Sequence, residues 1–339
     1  MPTPSAARPP MHARVLVLLA MRNLRRHVRR TVLTSSAMVV GGALLVFTFS
    51  LGDGYHEQWI DSGVRLGEGH VTIERPEFRV SRRIEDRLPV EVRRAAEEAF
   101  ASPEVAPRVV ATTAKLAVNG LASSAAGARP ARIVAVDPEA EADFSPIDER
   151  VIEGRYLAPD DRLAAYVGVD LVDSLELRLG SRFVVQAQDA EREIAGQLLR
   201  VVGIFESGVP EVDQSLVHIP LATAGEWLGS AGDVTNVGVV LDDSTATAAV
   251  AGRLERALDG LIARGDARVM GWRETNPALG AAVAIDDFGN YLVQGFIFTI
   301  IAFGIVNTVL MSVLHRRREF AVLRALGLTP GQTGAIVLV

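Results

Sequence analysis

Two long apolar stretches bracket a region of short alternating patterns. Thr31 to Gly52 (TVLTSSAMVVGGALLVFTFSLG) is 22 residues without a charge, and Phe288 to Leu314 (FGNYLVQGFIFTIIAFGIVNTVLMSVL) is 27. As a helix the first would be roughly 33 Å long, enough to cross the hydrocarbon core. The second is long enough to tilt, or to begin above the membrane surface. A cleaved secretory signal does not fit the first: its leader is 30 residues, its apolar run is too long and no A-x-A site follows. A buried soluble helix seldom runs as long as the second without a charge. Both stretches read as transmembrane helices.

Between them, runs of Val, Ile and Leu bounded by Gly, Pro or Asp predict strands over 70–74, 115–118, 132–136, 165–169 and 182–188. Further strands are expected over 198–205, 216–219, 236–241 and 267–270. Helical spacing predicts helices over 89–101, 171–177, 221–228 and 244–263, with Pro89 at N1 and Ser244 at an N-cap. The implied fold is a membrane protein with α-helical spans and a large α+β domain of two lobes, inserted between the first and second spans. The central lobe is expected over about 114–220, and the membrane-proximal lobe from 53–113 and 221–287. Residues 1–10 read as a proline-rich, disordered start. Residues 11–30 pattern as an interfacial helix with Val15, Leu18, Leu19 and Leu24 on one side and arginines on the other. A plain basic flank is the simpler account of the same residues, and the two readings coexist.

Charge sets the orientation. Seven Arg and no acid precede Asp53; from Asp53 to Asp287 there are 23 Arg, one Lys and 40 acids; four Arg and one Glu follow Phe288. Arg22, Arg25, Arg26, Arg29 and Arg30 flank the first span, and Arg316, Arg317 and Arg318 follow the second, whereas Asp53, Glu57, Asp286 and Asp287 face each other. The positive-inside rule places both basic flanks, and the N-terminus, in the cytoplasm. Residues 53–287 then lie outside, and 315–335 form a cytoplasmic helix and loop. The overall net charge of −6 argues against a nucleic-acid partner.

Little catalytic chemistry is on offer. There is no Cys, which excludes thiolate metal sites and cysteine nucleophiles. Lys115 is the only lysine and follows no glycine-rich loop, so nucleotide binding by a P-loop is excluded; its rarity reads as codon bias. No G-x-S-x-G, H-E-x-x-H or G-x-G-x-x-G pattern occurs, and His12, His27, His56, His70, His218 and His315 are scattered. Asp160-Asp161 and Asp242-Asp243 read as turn or N-cap pairs, and Asp286-Asp287 as the outer edge of the second span. The chain reads as neither an enzyme nor a cofactor binder.

One motif is specific. Asn307-Thr308-Val309-Leu310-Met311-Ser312-Val313 leads through His315 into Arg316-Arg317-Arg318-Glu319-Phe320-Ala321-Val322-Leu323-Arg324-Ala325-Leu326-Gly327. This resembles the signature of FtsX-type permeases, N-T-x-x-M-x-V followed by R-x-R-E-x-x-x-L-R-A-x-G. Arg22-Asn23-Leu24 resembles the family's opening helix. Gly69–Ile73, Val202–Gly208 with Asp213, and Trp272-Arg273-Glu274 resemble parts of the periplasmic domain shared by MacB and the LolC/LolE permeases.

The resemblance implies a bacterial inner-membrane subunit of an ABC transporter, with ATP hydrolysed on a partner chain. It also implies a second permease subunit, alike or different, and a lipoprotein or other amphiphile handled on the periplasmic side. Arg316, Arg318, Glu319, Phe320, Leu323, Arg324 and Gly327 would form the helix on which the ATPase pushes. From the residues alone, Phe320, Leu323, Leu326 and Gly327 fall at helical spacing and form an apolar stripe that could dock in a partner's groove or rest on membrane lipid. Asn307 and Thr308, deep in the span, call for a helix-to-helix hydrogen bond. Lipoprotein release is the leading expectation; MacB-like efflux shares this ectodomain plan, and an FtsX-like activator of a periplasmic partner, the remaining alternative, would be expected to carry a smaller external domain. The family has four spans, and a third should begin at Ile336–Val339, so a fragment or a truncated gene product is expected.

Overall fold

The structure, a computed structural model, describes residues 28–230, 232–327 and 329. Residues 11–27 of the expected interfacial helix, the Arg22-Asn23-Leu24 segment and the expected third-helix start at 336–339 lie outside the described residues. In chain order the elements begin with helix α1 (Val28–Arg65), strand β1 (Val71–Glu74), a one-turn helix Phe78–Ser81 and helix α2 (Val90–Phe100). There follow β2 (Val109–Ser124), β3 (Gly127–Val136), α3 (Pro138–Phe144), β4 (Val151–Gly154), β5 (Ala164–Gly168) and α4 (Val169–Ser174). Next come β6 (Arg182–Gln188), β7 (Ile194–Phe205), β8 (Leu216–Pro220), α5 (Leu221–Leu228) and β9 (Asn236–Leu241). The chain ends through α6 (Thr247–Ala257), β10 (Arg268–Gly271), α7 (Pro277–His315) and α8 (Arg317–Ala325).

Every predicted strand is present, and β2, β3 and β7 begin well before the predicted starts. The predicted helix over 244–263 is broken at Leu258 (φ −106, ψ 12). Pro89 is the N-cap of α2 and not its N1 residue. Asp243 does the capping expected of Ser244: its side chain accepts from the Thr245 N–H, and Ser244 opens a 3-10 turn.

Two compact units result, one from residues up to Tyr55 and from Ile285 onward, the other His56–Ala284. In the first, a methyl built on Gly41 would touch Ile301 at 3.6 Å, so α1 and α7 pack closely there. Among the described residues, α7 alone is long and apolar enough to cross a membrane, with a most apolar window of mean hydropathy 2.3 that is 0% buried. The expected first span lies within α1, but its strongly apolar part is shorter, Val39–Thr48. Thr31, Thr34, Ser35 and Ser36 dilute the hydropathy at its start. One hydroxyl in each helix is seen to be satisfied internally, Thr48 on Leu44 O at 2.8 Å and Thr299 on Gly295 O at 2.7 Å.

The second unit is built on a ten-stranded sheet in the order β10-β1-β9-β2-β3-β8-β5-β7-β4, with β6 bridging β2 and β7. That bridge closes a ring, β2-β3-β8-β5-β7-β6 and back to β2, which is a six-stranded barrel. Alternate residues of all its strands fill one core, among them Leu116, Ile133, Val167, Phe183, Leu199 and Val217. Leu171 and Leu175 of the α4 segment and Leu228 of α5 complete it. Closure needs β2 and β6 to approach at Gly120, where a Cβ would lie 2.1 Å from Gln186 O.

β2 is long enough to serve two cores. Its first half pairs with β9, and β1 and β10 extend that side. Helices α2 and α6 cover this extension through Val92, Ala96, Phe100, Val250 and Leu254. One continuous strand thus runs through both cores, within a single compact unit.

Candidate functional site

The N-T-x-x-M-x-V stretch forms the last turns of α7, and the helix breaks at Arg316 (φ −102, ψ 12) before α8 begins. Arg316 reaches forward onto the new helix. Its Nε donates to Glu319 Oε2 at 2.9 Å, and its guanidinium lies 5.9 Å from the Phe320 ring. Glu319 sits in the first turn of α8 and Arg324 in the last, the placements the helix dipole favours. Gly327 ends the segment at φ +94, its N–H donating to Arg324 O at 2.9 Å.

Val322 is 60% exposed and Leu326 70%, so α8 presents apolar side chains outward beside exposed Arg318 and Arg324. Phe320 is half-buried, and the Leu323 side chain lies outside the described residues. Asn307 is exposed on α7 and makes no hydrogen bond among the described residues; the Thr308 side chain lies outside them.

Within the second unit, the end of α1 and the start of α7 meet the domain together. Ile60 and Val64 pack with Trp272, Leu279 and Val283, and Trp272 is only 2% exposed. The Trp272 N–H donates to His70 O at 3.0 Å, which ties this cluster to the strand β1 that follows. Asn276 caps α7 by accepting the Leu279 N–H at 3.0 Å, with Pro277 at the first helical position.

Sequence reasoning missed a charged cluster beside this junction. Arg79 donates from Nε and Nη2 to the two oxygens of Glu74 at 2.8 and 2.7 Å, and from Nη2 to Glu68 Oε2 at 2.6 Å. Its Nη1 also reaches Thr275 O at 3.4 Å, so one guanidinium joins the segments after α1 and before α7. Burial pushes the Glu74 carboxyl up to about 7, against the pull of Arg79. The dense run of charges in Glu74–Arg87 was the available signal.

The remaining motifs have structural roles. Asp213 holds the turn after β7, accepting from Ser207 N and Oγ at 2.8 and 2.7 Å and from Gly208 N at 3.2 Å. Arg273 lies 4.4 Å over the Trp272 ring. Asp161 binds Arg155 in a fork at 2.7 Å, which holds its carboxyl below the usual range, and accepts from Ala158 N. Asp243 accepts from Thr245 N at 2.8 Å and Oγ1 at 2.7 Å, so the outer members of two adjacent-carboxylate pairs work in turns and caps.

A family model described as MacB-like periplasmic core domain matches residues 31–257, and one described as FtsX-like permease C-terminal matches 291–339. The chain belongs to the FtsX-type ABC permease family. Among similar proteins of this FtsX-type permease are two named lipoprotein-releasing system transmembrane protein LolC. That of Neisseria meningitidis is 26% identical over 51% of this chain and 42% of its own length. That of Xylella fastidiosa is 26% identical over 52% and 41%. The match thus takes in less than half of each relative. The periplasmic region of MacB from Actinobacillus actinomycetemcomitans is similar at 15% identity and a TM-score of 0.43, over 62% of this chain and 92% of that one, and the extracellular domain of the noncanonic ABC-type transporter YknZ at 15% identity and a TM-score of 0.42, over 59% and 99%. In this permease the N-T-x-x-M-x-V stretch and α8 fall inside the C-terminal match, and the barrel falls inside the core-domain match.

Proposed function

We propose that this chain is a permease subunit of an ABC transporter complex that couples ATP hydrolysis on a separate subunit to substrate handling on the periplasmic side. The observation that carries the reading is α8. It is a short helix set off from a 39-residue apolar helix by a break at Arg316, with Val322 and Leu326 exposed on it. A partner ATPase would seat on this face, where the Arg316–Glu319 pair fixes the bend through which motion passes to α7.

In this reading Thr31–Gly52 and Phe288–Leu314 are the spans, residues 53–287 are periplasmic, and the membrane is the bacterial inner membrane. The distribution of arginines supports that orientation. A second permease subunit would cover the exposed apolar faces of α1 and α7 and give Asn307 a partner; lipid would cover the rest. Similarity to proteins named lipoprotein-releasing supports a lipoprotein substrate. The match to the MacB-like core domain favours, as a second reading, efflux by motion of the periplasmic domain.

The test is to isolate the tagged chain from membranes and assay for a co-purifying ATPase. Glu319→Ala combined with Leu323→Ala should loosen that association several-fold. A partner retained at full strength by the double variant would remove α8 from the coupling route.

A further inference from the structure

Outside the barrel, against β2 and β3, lies a cavity of about 410 Å³. Asn119 and Arg132 stand on the strand side, and Glu68, Arg79 and Arg82 on the other. The charged groups that act on Arg82 are Arg79, Glu68, Glu74 and Arg132. Three guanidiniums therefore share two carboxylates, and the sharing is unequal. Arg79 takes both oxygens of Glu74 and Oε2 of Glu68. Only Glu68 Oε1 remains, 3.6 Å from Arg132 Nη2 and 4.0 Å from Arg82 Nη1. Both distances exceed hydrogen-bond reach. Neither guanidinium makes a hydrogen bond among the described residues.

Arg82 is also held in an unusual way. Its backbone is left-handed at φ 52, pinned by its N–H on Phe78 O at 2.8 Å, and its guanidinium lies 5.7 Å over the Phe78 ring. A non-glycine residue in that region stores strain that the surroundings must hold, and such residues cluster at ligand clamps. Burial first, and then the neighbouring Arg79, keep Arg82 below the ordinary arginine value, as expected of a cation short of counter-charge.

We propose that this cavity is an oxyanion site in which Arg82 and Arg132 bind the phosphate of a small polar head group. Planar guanidinium forks match phosphate oxygens, and the two come from separate elements, so together they can grip one group from two sides. Asn119 and Asn276 are also among the lining residues, and amide groups suit the polar remainder of such a group. The phosphate could belong to a glycerophosphate lipid head group or be free inorganic phosphate; the chemistry of recognition is the same. The site stands independently of the transport reading.

The 339-residue chain in an uncharged detergent is titrated at low salt with inorganic phosphate and with glycerol 3-phosphate, read by calorimetry. Saturable binding of at least one probe is expected, weakened about tenfold or more by Arg82→Gln and by Arg132→Gln. Both side chains are partly exposed, so their replacement leaves the core intact. Arg162→Gln, an exposed arginine paired with Glu226 at 2.8 Å, should leave binding unchanged. Glu68→Gln should tighten binding, because the resident carboxylate competes for the same guanidiniums. Tighter binding of glycerol 3-phosphate than of phosphate supports a lipid head group as the source; equal affinities support a free phosphate. The proposal is overturned if neither probe saturates, if both arginine variants bind like the parent, or if Glu68→Gln weakens binding.

Discussion

Lys115 Nζ lies 2.7 Å from Glu141 Oε1, with the two side chains 6% and 1% exposed. The only lysine of the chain is therefore half of a buried ion pair between β2 and α3. Thr113 Oγ1 donates to the other Glu141 oxygen at 2.8 Å, Gly67 O accepts from Lys115 at 3.2 Å, and the ammonium lies 4.6 Å over the Phe144 ring. The codon-bias reading misses this role, because nothing local in Thr113–Leu116 reveals a partner 26 residues away.

Breaking the pair strands a buried charge. Glu141→Ala or Lys115→Met should cost about 3–5 kcal/mol, and Lys115→Met with Glu141→Leu should cost clearly less than either single change. Urea unfolding followed by tryptophan fluorescence measures all three. Additive losses in the double variant would mean that the pair is not an energetic unit.

At the barrel seam, Gly120→Ala places a Cβ 2.1 Å from a backbone oxygen of β6, which cannot rotate away. The expected loss is about 2 kcal/mol or more, as in overpacked cores. Gly252→Ala, where nothing lies within 4 Å, should be neutral or stabilising because alanine suits a helix. Equal melting temperatures for the two variants would contradict the closure.

Two buried groups give pH dependences of opposite sign. Burial, helped by Lys115 and Arg132, pushes His218 down to about 3 from an ordinary 6.5. The unfolded chain then binds the extra proton, so this stability is present above pH 6.5 and is lost as pH falls toward 3. Burial pushes Glu74 up to about 7 from 4.5, so there the folded chain holds the extra proton and stability falls as pH rises from 4.5 to 7. Relative to the parent, His218→Gln should gain stability on the acid side and Glu74→Gln on the alkaline side. Parallel curves of unfolding midpoint against pH would rule out both assignments.

Alternation along the chain made the strands legible, and the second apolar stretch made α7 legible. The barrel was not, because its closing pairs join β2 to β6 and β3 to β8 across long separations that periodicity does not encode. The early part of β7 was hidden for a different reason: Ile194 and Leu198 face outward, so no apolar run marks it. α8 lies in the segment that carries the motif, and the chain bends there at Arg316. The charge run of Glu74–Arg87 marked one part of the arginine cluster, but Glu68 and Arg132 come from other segments, and only the fold brings their charges together.

The proposed function requires the barrel domain and α8 to lie on opposite sides of one membrane. The absence of cysteine makes a direct test simple. Ile194→Cys, 80% exposed on the domain, and Arg317→Cys, exposed on α8, each introduce a single thiol. A membrane-impermeant maleimide applied to intact spheroplasts should label the first, and the second only after permeabilisation. Labelling of Arg317→Cys in intact spheroplasts, or protection of Ile194→Cys until lysis, would contradict the account.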